Sequence, residues 1–168
     1  DPTLMACGRF YPPHANSAEA RLRFYASRFG LAEVDSSYYA LPSAENAYLW
    51  AQRTPDDFVF NIKAYRLFTG HQTPLTALPA DIRQELGDWP EPVIYHRGMP
   101  DDLRDELWRR YTLALEPLRM ADKLGAVHFQ FPPWVQRDAR GMALVADCVR
   151  RLEDHLVSVE FRHRSWFA

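Results

Sequence analysis

Polar and apolar residues alternate in four short segments of the chain, which is the pattern of strands that bury one face. The segments are Leu31–Ser37, Phe58–Lys63, Val127–Phe131 and Val157–His163. Their polar positions are Glu33, Asp35, Ser37, Asn61, Lys63, His128, Gln130, Ser158, Glu160 and Arg162. Because several of these positions fall late in their segments, we expect reactive groups to collect at the carboxyl ends of the strands.

Turn and capping signals divide the rest of the chain into further elements. Strands are predicted over Leu4–Cys7, Leu31–Ser37, Phe58–Lys63, Ala126–Phe131 and Val157–His163. Helices are predicted from Asn16 to Phe29, over Ala44–Arg53, from Asp101 to Leu124 with a kink or break at Pro117, and from Arg140 to His155. In this interpretation Asn16 and Asp101–Asp102 cap helix starts, whereas Gly30 and Gly125 end helices.

The alternation of strands and helices predicts a parallel sheet with right-handed crossovers. Parallel strands covered by helices are normally apolar throughout, so half-polar strands favour a closed barrel with a polar mouth or an open sheet with a ligand crevice. Five strands in 168 residues do not close a (β/α)₈ barrel, which needs about 250 residues. We therefore expect an α/β, TIM-barrel-like fold in one domain over residues 1–168, covering about the first five strands of an incomplete barrel.

Residues 65–100 are the least regular part of the predicted domain. This stretch contains five prolines and one short predicted helix, Ala80–Leu86. A connection of this length is often a binding loop or an active-site lid. The alternative, that the stretch is a variable surface insertion without a function, is supported at least as well.

Composition excludes several broad classes of function. The net charge of −2 predicts no nucleic-acid partner, and no apolar run approaches the roughly 20 residues of a membrane span. Cys7 and Cys148 lie in apolar contexts, which predicts packed thiols and a cytoplasmic location. The chain has 18 arginines but only two lysines, Lys63 and Lys123, so a lysine on an inward strand face is more suggestive than usual.

Several motifs resemble those of the YecE-like proteins, the domain-of-unknown-function family number seventy-two, in family order over nearly the whole chain. They are Phe10-Tyr11-Pro12, the run from Ala32 to Pro42, Arg53-Thr54-Pro55, Phe58 to Ala64, Lys123-Leu124-Gly125, Phe129 to Pro133, Val159 to His163, and Ser165-Trp166-Phe167. The resemblance implies a TIM barrel with no established reaction. This chain has Asp35 where the family commonly has Asn.

Two carboxylates are the leading candidates for catalysis. Glu33 and Glu160 at a barrel mouth can act as acid and base, or as acid and nucleophile, if their environments separate their pKa values. Lys63 is a candidate for binding an anion or for forming a Schiff base, and His128 is a candidate general base. The structural alternative is that Glu33 pairs with Lys63 and Glu160 with Arg162, neutralising buried charge.

The remaining candidates are expected to bind substrate rather than react with it. They are Asp35, Tyr39, Asn61, His71, Gln130, Arg162, His163 and Trp166. Arg162 suits bidentate binding of phosphate or carboxylate. No His, Cys or carboxylate spacing forms a metal signature, so no metal site and no cofactor are predicted, although a divalent metal stays open.

These residues support two main hypotheses about function. The first is an enzyme of hydrolase, lyase or isomerase type that uses paired carboxylates on a small polar or anionic molecule. The second is a non-catalytic module that keeps the barrel mouth for a small ligand or an interaction. A third and weaker one, nucleic-acid handling through Arg and rim aromatics, conflicts with the net charge. Substrate and oligomeric state are not readable from the sequence.

Overall fold

Seven α-helices and six strands follow one another along residues 2–168, the part of the chain that the computed structural model describes. The helices are α1 (Pro2–Ala6), α2 (Ala18–Ala26), α3 (Ser36–Tyr39), α4 (Ala44–Gln52), α5 (Ala80–Leu86), α6 (Asp101–Met120) and α7 (Ala139–Arg150). The strands are β1 (Leu31–Val34), β2 (Val59–Lys63), β3 (Thr73–Pro74), β4 (Val93–Ile94), β5 (Leu124–Phe131) and β6 (Val157–Phe161).

A four-stranded parallel sheet in the order β1-β2-β5-β6 organises the fold, which confirms the α/β class. Apolar residues at alternate positions, among them Phe60, Ile62, Val127 and Phe129, are almost completely buried on one face. This face packs on the helices because α6 presents a stripe of buried residues to it. The stripe consists of Leu103, Leu107, Trp108, Tyr111, Ala114, Leu115 and Leu118.

The first predicted strand is wrong. Residues Leu4–Cys7 fall in and just after helix α1, outside the sheet, so four parallel strands are present within residues 2–168 and not five. A short apolar run has too few positions to distinguish period 2 from period 3.6, and only pairing with neighbours makes it a strand. The other four predicted strands form, with β1 and β6 ending at Val34 and Phe161.

Helix α6 ends earlier than its apolar pattern predicts. It runs unbroken through Pro117 to Met120, and Asp122 then adopts a left-handed conformation with φ 55°. Leu124 and Gly125 therefore belong to β5, and Gly125 is not the helix stop. Gly125 answers a different need, because a Cβ atom there would lie 2.4 Å from Oδ1 of Asn61.

The ends of the helices differ by a few residues from those that the sequence predicts. Ser43 caps α4 by accepting a hydrogen bond from the Asn46 amide, next to the predicted start at Ala44. Helix α2 is capped by Ser17 rather than Asn16, and α6 begins after Pro100 with Asp101 as its first residue. Helix α7 ends at Arg150, ahead of the predicted His155.

The segment between β2 and α6 is less irregular than predicted. Helix α5 forms over the predicted range, and β3 and β4 pair as a short antiparallel ribbon. Leu78, Ile82 and Ile94 of this segment are buried in the same core as the sheet. The segment is therefore packed against the rest of the chain instead of extending from it.

Candidate functional site

The second face of the parallel sheet is polar, and strand register arranges its side chains in rows. Glu33 lies beside Asn61 in the first row. Lys63, His128 and Ser158 form the second row across β2, β5 and β6, and Gln130 and Glu160 form the third. These rows approach the carboxyl ends of the strands, where ligands bind in parallel α/β folds.

The backbone at the end of β2 is held in place by buried hydroxyl groups. The carbonyl oxygen of Lys63 accepts hydrogen bonds from Ser37 Oγ at 2.7 Å and from Tyr111 Oη at 3.2 Å. Ser37 is 1% exposed, so its polar position in the alternating pattern serves the fold. The strand end that carries Lys63 is therefore anchored from two elements.

The side chain of Lys63 turns toward the end of β1. Its Nζ donates to Asp35 Oδ1 at 3.1 Å, and it lies 5.7 Å from the ring centre of Tyr38. Lys63 is thus paired with Asp35, and the ion pair with Glu33 that the structural alternative required does not form. Only one of the three ammonium protons has an acceptor among residues 2–168, so Lys63 keeps capacity for a ligand.

A second cation at this edge, Arg66, is absent from the sequence-based candidates. Its guanidinium lies 5.1 Å from the ring centre of Tyr38, and its Nε is buried without a hydrogen-bond partner in the described structure. His71 packs edge-on against the same ring at 5.2 Å. The available signal was the position of Arg66 three residues beyond Lys63, but Arg66 lies outside the alternating segment that ends at Lys63.

His71 is held neutral by its surroundings. Burial, helped by the positive charges of Arg66, Arg162 and Lys63, lowers the pKa of His71 to about 4. Its Nδ1 is hydrogen-bonded to Thr69 Oγ1 at 2.8 Å. His71 can therefore donate or accept a hydrogen bond near these three cations without adding a fourth charge at neutral pH.

Glu160 is the centre of the third row. Its Oε2 accepts a hydrogen bond from Gln130 Nε2 at 2.7 Å, and its Oε1 accepts one from Arg162 Nε at 2.7 Å. The two bonds, from Gln130 foremost, hold the pKa of Glu160 below its usual value. His128 Nε2 lies 3.7 Å from Glu160 Oε2, and His128 Nδ1 is hydrogen-bonded to Ser158 Oγ at 2.8 Å.

Glu33 and Asn61 lie apart from this group. Glu33 is exposed on β1, and Glu160 is on β6 at the other edge of the sheet. The two strands are three strand spacings apart, or about 14 Å measured perpendicular to the strands. The amide oxygen of Asn61 accepts a hydrogen bond from the Ala126 amide at 2.8 Å, at the register shift between β2 and β5. The Asn61 side chain thus accepts a backbone hydrogen bond where the pairing of β2 and β5 is irregular.

Three further candidates lie around the same edge. Tyr39 is exposed and its ring centre is 5.0 Å from that of Tyr38. His163 caps the turn Arg164–Phe167 through its Nδ1, which accepts a hydrogen bond from the Ser165 amide. Trp166 stacks on Phe161 at 4.0 Å and donates from Nε1 to the Val135 carbonyl, which makes it part of the packing.

We refer to Lys63, Arg66, His128, Glu160 and Arg162 as the mouth cluster. Three of its members are cations, and Glu160 together with nearby Asp35 supplies only two carboxylates. Arg66 makes no ion pair within residues 2–168, so the cluster carries positive charge that the protein leaves unneutralised. Such an arrangement can hold a phosphate or carboxylate group beside a histidine and a carboxylate.

Across residues 2–168, no three His, Cys, Asp or Glu side chains are grouped closely enough to hold a metal ion.

None of the helices in the described part of the chain combines the length and the apolar character that crossing a bilayer requires.

Comparison with known proteins gives a consistent result. The family model described as "Protein of unknown function DUF72" matches residues 2–168. The UPF0759 protein YunF of Bacillus subtilis is 34% identical over 158 residues, which cover 94% of this chain and 48% of that protein. The chain therefore spans about half the length of this curated relative.

Two solved structures share the fold. A DUF72 family protein of Enterococcus faecalis has a TM-score of 0.66 at 23% identity, over 88% of this chain and 45% of that one. A DUF72 family protein of Thermotoga maritima has a TM-score of 0.60 at 23% identity, over 96% and 52%. At this level of identity the likeness concerns the fold alone.

Proposed function

The chain belongs to the DUF72 family of proteins of unknown function, and we propose that it is part of a TIM-barrel enzyme whose mouth binds a small anionic substrate. The observation that carries the proposal is the mouth cluster, in which Arg66 has no ion-pair partner among the described residues. A parallel sheet with helices packed on its apolar face and reactive groups on the other supports the barrel.

The cations have a direct role in this proposal. Lys63 and Arg66 both lie close to the Tyr38 ring, at 5.7 and 5.1 Å from its centre, and can contact one substrate phosphate or carboxylate. Arg162 extends the positive charge across the sheet from β6. Guanidinium groups match the geometry of both anions, and binding them at a partly dry strand end strengthens the attraction.

Proton transfer is assigned to His128 and Glu160. The 3.7 Å separation of their Nε2 and Oε2 atoms leaves room for both to contact one reacting group. Glu160 is stabilised as an anion by Gln130 and Arg162, and it can orient the imidazole or stabilise its protonated form. Proton transfer beside a bound anion is chemistry shared by hydrolases, lyases and isomerases.

Glu160→Gln and His128→Asn test this assignment in the purified protein. Product formation would be followed by NMR on a panel of sugar phosphates, sugar acids and glycosides. Each variant should lose at least about 100-fold in turnover, because general acid–base groups contribute that much or more. Glu33→Gln is the matched control on the same face, and it should stay within a few fold of the unaltered protein.

The outcomes separate this function from the two alternatives. If Glu33→Gln loses as much activity as Glu160→Gln, the paired-carboxylate mechanism is the correct one. If inorganic phosphate binds by calorimetry, Lys63→Met weakens it, and no compound on the panel turns over, the mouth belongs to a non-catalytic binding module. Turnover that persists in both Glu160→Gln and His128→Asn would contradict the proposed acid–base pair.

A further inference from the structure

A groove of about 1020 Å³ lies beside the mouth cluster but is separate from it. It runs between the start of α7, the turn His96–Gly98 and the loop after β5. Trp134 forms the wall between the two sites, since its Nε1 donates to the Gly70 carbonyl at 3.1 Å and its ring packs on His71. None of the mouth-cluster residues lines this groove.

The lining of the groove combines aromatic and aliphatic surface. Trp134 is 58% exposed and Tyr95 is 41% exposed, and the side chains of Val135 and Leu144 also line the groove. Large exposed aromatic rings in a concave site are suited to stacking against a planar ring. The volume lies at the upper end of the range for small-molecule sites.

The groove has a small excess of positive charge, because three arginines and two aspartates line it. Asp138 accepts the Gly141 amide hydrogen bond at the start of α7, and Asp147 pairs with Arg150 and Arg151. The side chains of Arg97 and Arg140 are exposed and make no hydrogen bond or ion pair within residues 2–168. Two guanidinium groups are therefore available to an anion.

The other basic residues of the groove do not change this balance. Arg104 is bound to Asp101 at 2.5 Å and donates to the carbonyl oxygens of His96 and Met99. Burial, helped by Arg104, lowers the pKa of His96 to about 4, so its imidazole is neutral at pH 7. The free positive charge thus comes from Arg97 and Arg140.

We propose that this groove is a second binding site, for a small phosphorylated compound with a planar ring, of the nucleotide class. The ring packs on the exposed aromatic side chains, and the phosphate binds Arg97 and Arg140. Phosphate is favoured because two unpaired guanidinium groups can share its oxygens, and stacking uses the rings that the groove exposes. The site is independent of the proposed function at the mouth.

Calorimetry with adenosine monophosphate tests the proposal, with adenosine and inorganic phosphate as the separate halves of the ligand. Adenosine monophosphate should bind at least tenfold more tightly than either half. The double variant Arg97→Gln/Arg140→Gln should weaken its binding at least tenfold. The double variant Arg9→Gln/Arg83→Gln removes two exposed arginines that make no ion pair within residues 2–168 and do not line the groove, and it should leave the affinity unchanged.

A site-specific readout accompanies the affinities. The indole N–H resonance of Trp134, assigned from Trp134→Phe, should shift on titration with adenosine monophosphate and stay unmoved in Arg97→Gln/Arg140→Gln. No binding of adenosine monophosphate at millimolar concentration would overturn the proposal. Binding that Lys63→Met weakens and Arg97→Gln/Arg140→Gln does not would place the nucleotide in the mouth, and it would also overturn the proposal.

Discussion

The two lysines of the chain lie at opposite ends of the same sheet and have opposite surroundings. Lys123, just before β5, is 4% exposed and donates to Ala51 O at 2.6 Å, Thr54 O at 2.8 Å and Thr54 Oγ1 at 3.3 Å. Lys63, at the carboxyl end of β2, has one carboxylate partner and a neighbouring aromatic ring. The amino end is hydrogen-bonded to completion, whereas the carboxyl end keeps unused donors.

This difference separates a structural charge from a candidate ligand-binding charge. All three ammonium protons of Lys123 have acceptors at the end of α4, where the helix dipole is negative. Nothing further can bind there without breaking the hydrogen bonds that join Lys123 to the end of α4. Lys63 and Arg66 both keep hydrogen-bond donors without acceptors within residues 2–168. An anion-binding site requires such donors.

The largest expected effect is at the amino end of the sheet. Lys123→Met would remove the ammonium donor from the buried carbonyl oxygens of Ala51 and Thr54 and leave Ala51 O only a 3.5 Å hydrogen bond from Thr54 Oγ1, so the free energy of unfolding should fall by about 3 kcal/mol. Urea denaturation followed by circular dichroism measures this loss. A decrease below about 1 kcal/mol would mean that the hydrogen bonds of Lys123 do not hold α4 to β5.

Acidification should destabilise the carboxyl end next. His71 and His96 have a pKa of about 4 in the folded protein against 6.5 in the unfolded chain, so the unfolded chain binds more protons between these values. Stability is therefore complete above pH 6.5 and falls toward pH 4, by about 1 kcal/mol for each histidine after allowing for solvent screening. Denaturation midpoints measured across this range give the slope.

Single substitutions identify the histidine responsible. His71→Gln should flatten the pH dependence by about half, whereas His14→Gln, at an exposed position, should leave it unchanged. A slope that is insensitive to His71→Gln would place the effect elsewhere in the molecule.

Removing the lysine at the carboxyl end should cost the fold little. Lys63→Met breaks an ion pair whose Asp35 partner is 65% exposed, and such pairs contribute less than about 1 kcal/mol. The same variant should reduce the affinity for inorganic phosphate measured by calorimetry. If Lys63→Met lowers the free energy of unfolding as much as Lys123→Met, Lys63 has a structural role like that of Lys123, and the proposed difference between the two lysines is contradicted.

The smallest effect concerns the pKa of one carboxylate. Gln130→Leu removes the hydrogen bond that contributes most to lowering the pKa of Glu160, so that pKa should rise toward its ordinary value. A ¹³C NMR titration of the Glu160 carboxyl group measures the change. Arg162→Gln is the comparison, and it should also raise the pKa, because it removes both a hydrogen bond and a positive charge from Glu160.

Much of the sheet could be predicted from the sequence where polar and apolar residues alternate. The apolar faces of β2 and β5 followed the predicted positions, because alternation has period 2 and distinguishes a strand from a helix, and Leu4–Cys7 is apolar at every position. Leu4–Cys7 was too short to decide. The end of α6 depended on Asp122 in a left-handed conformation, which composition does not signal as glycine does.

The candidate site was predicted in outline. Gln130, Glu160 and Arg162 are in contact as a group, and Lys63 and His128 are neighbours in register. Arg66 was missed because it follows a strand and comes close only through the fold of the next loop. The roles assigned to these residues in catalysis and binding stay predictions.

The sequence by itself determined which residues face which side of the sheet, because successive side chains of a strand must point in opposite directions. Only the tertiary structure decided which of these side chains contact one another. The strand order puts Glu33 and Glu160 on opposite edges of the sheet. Lys63 forms its ion pair with Asp35, and the Asn61 side chain accepts a backbone hydrogen bond from β5. Alternation is a local property of the backbone, whereas these contacts join residues far apart in the chain.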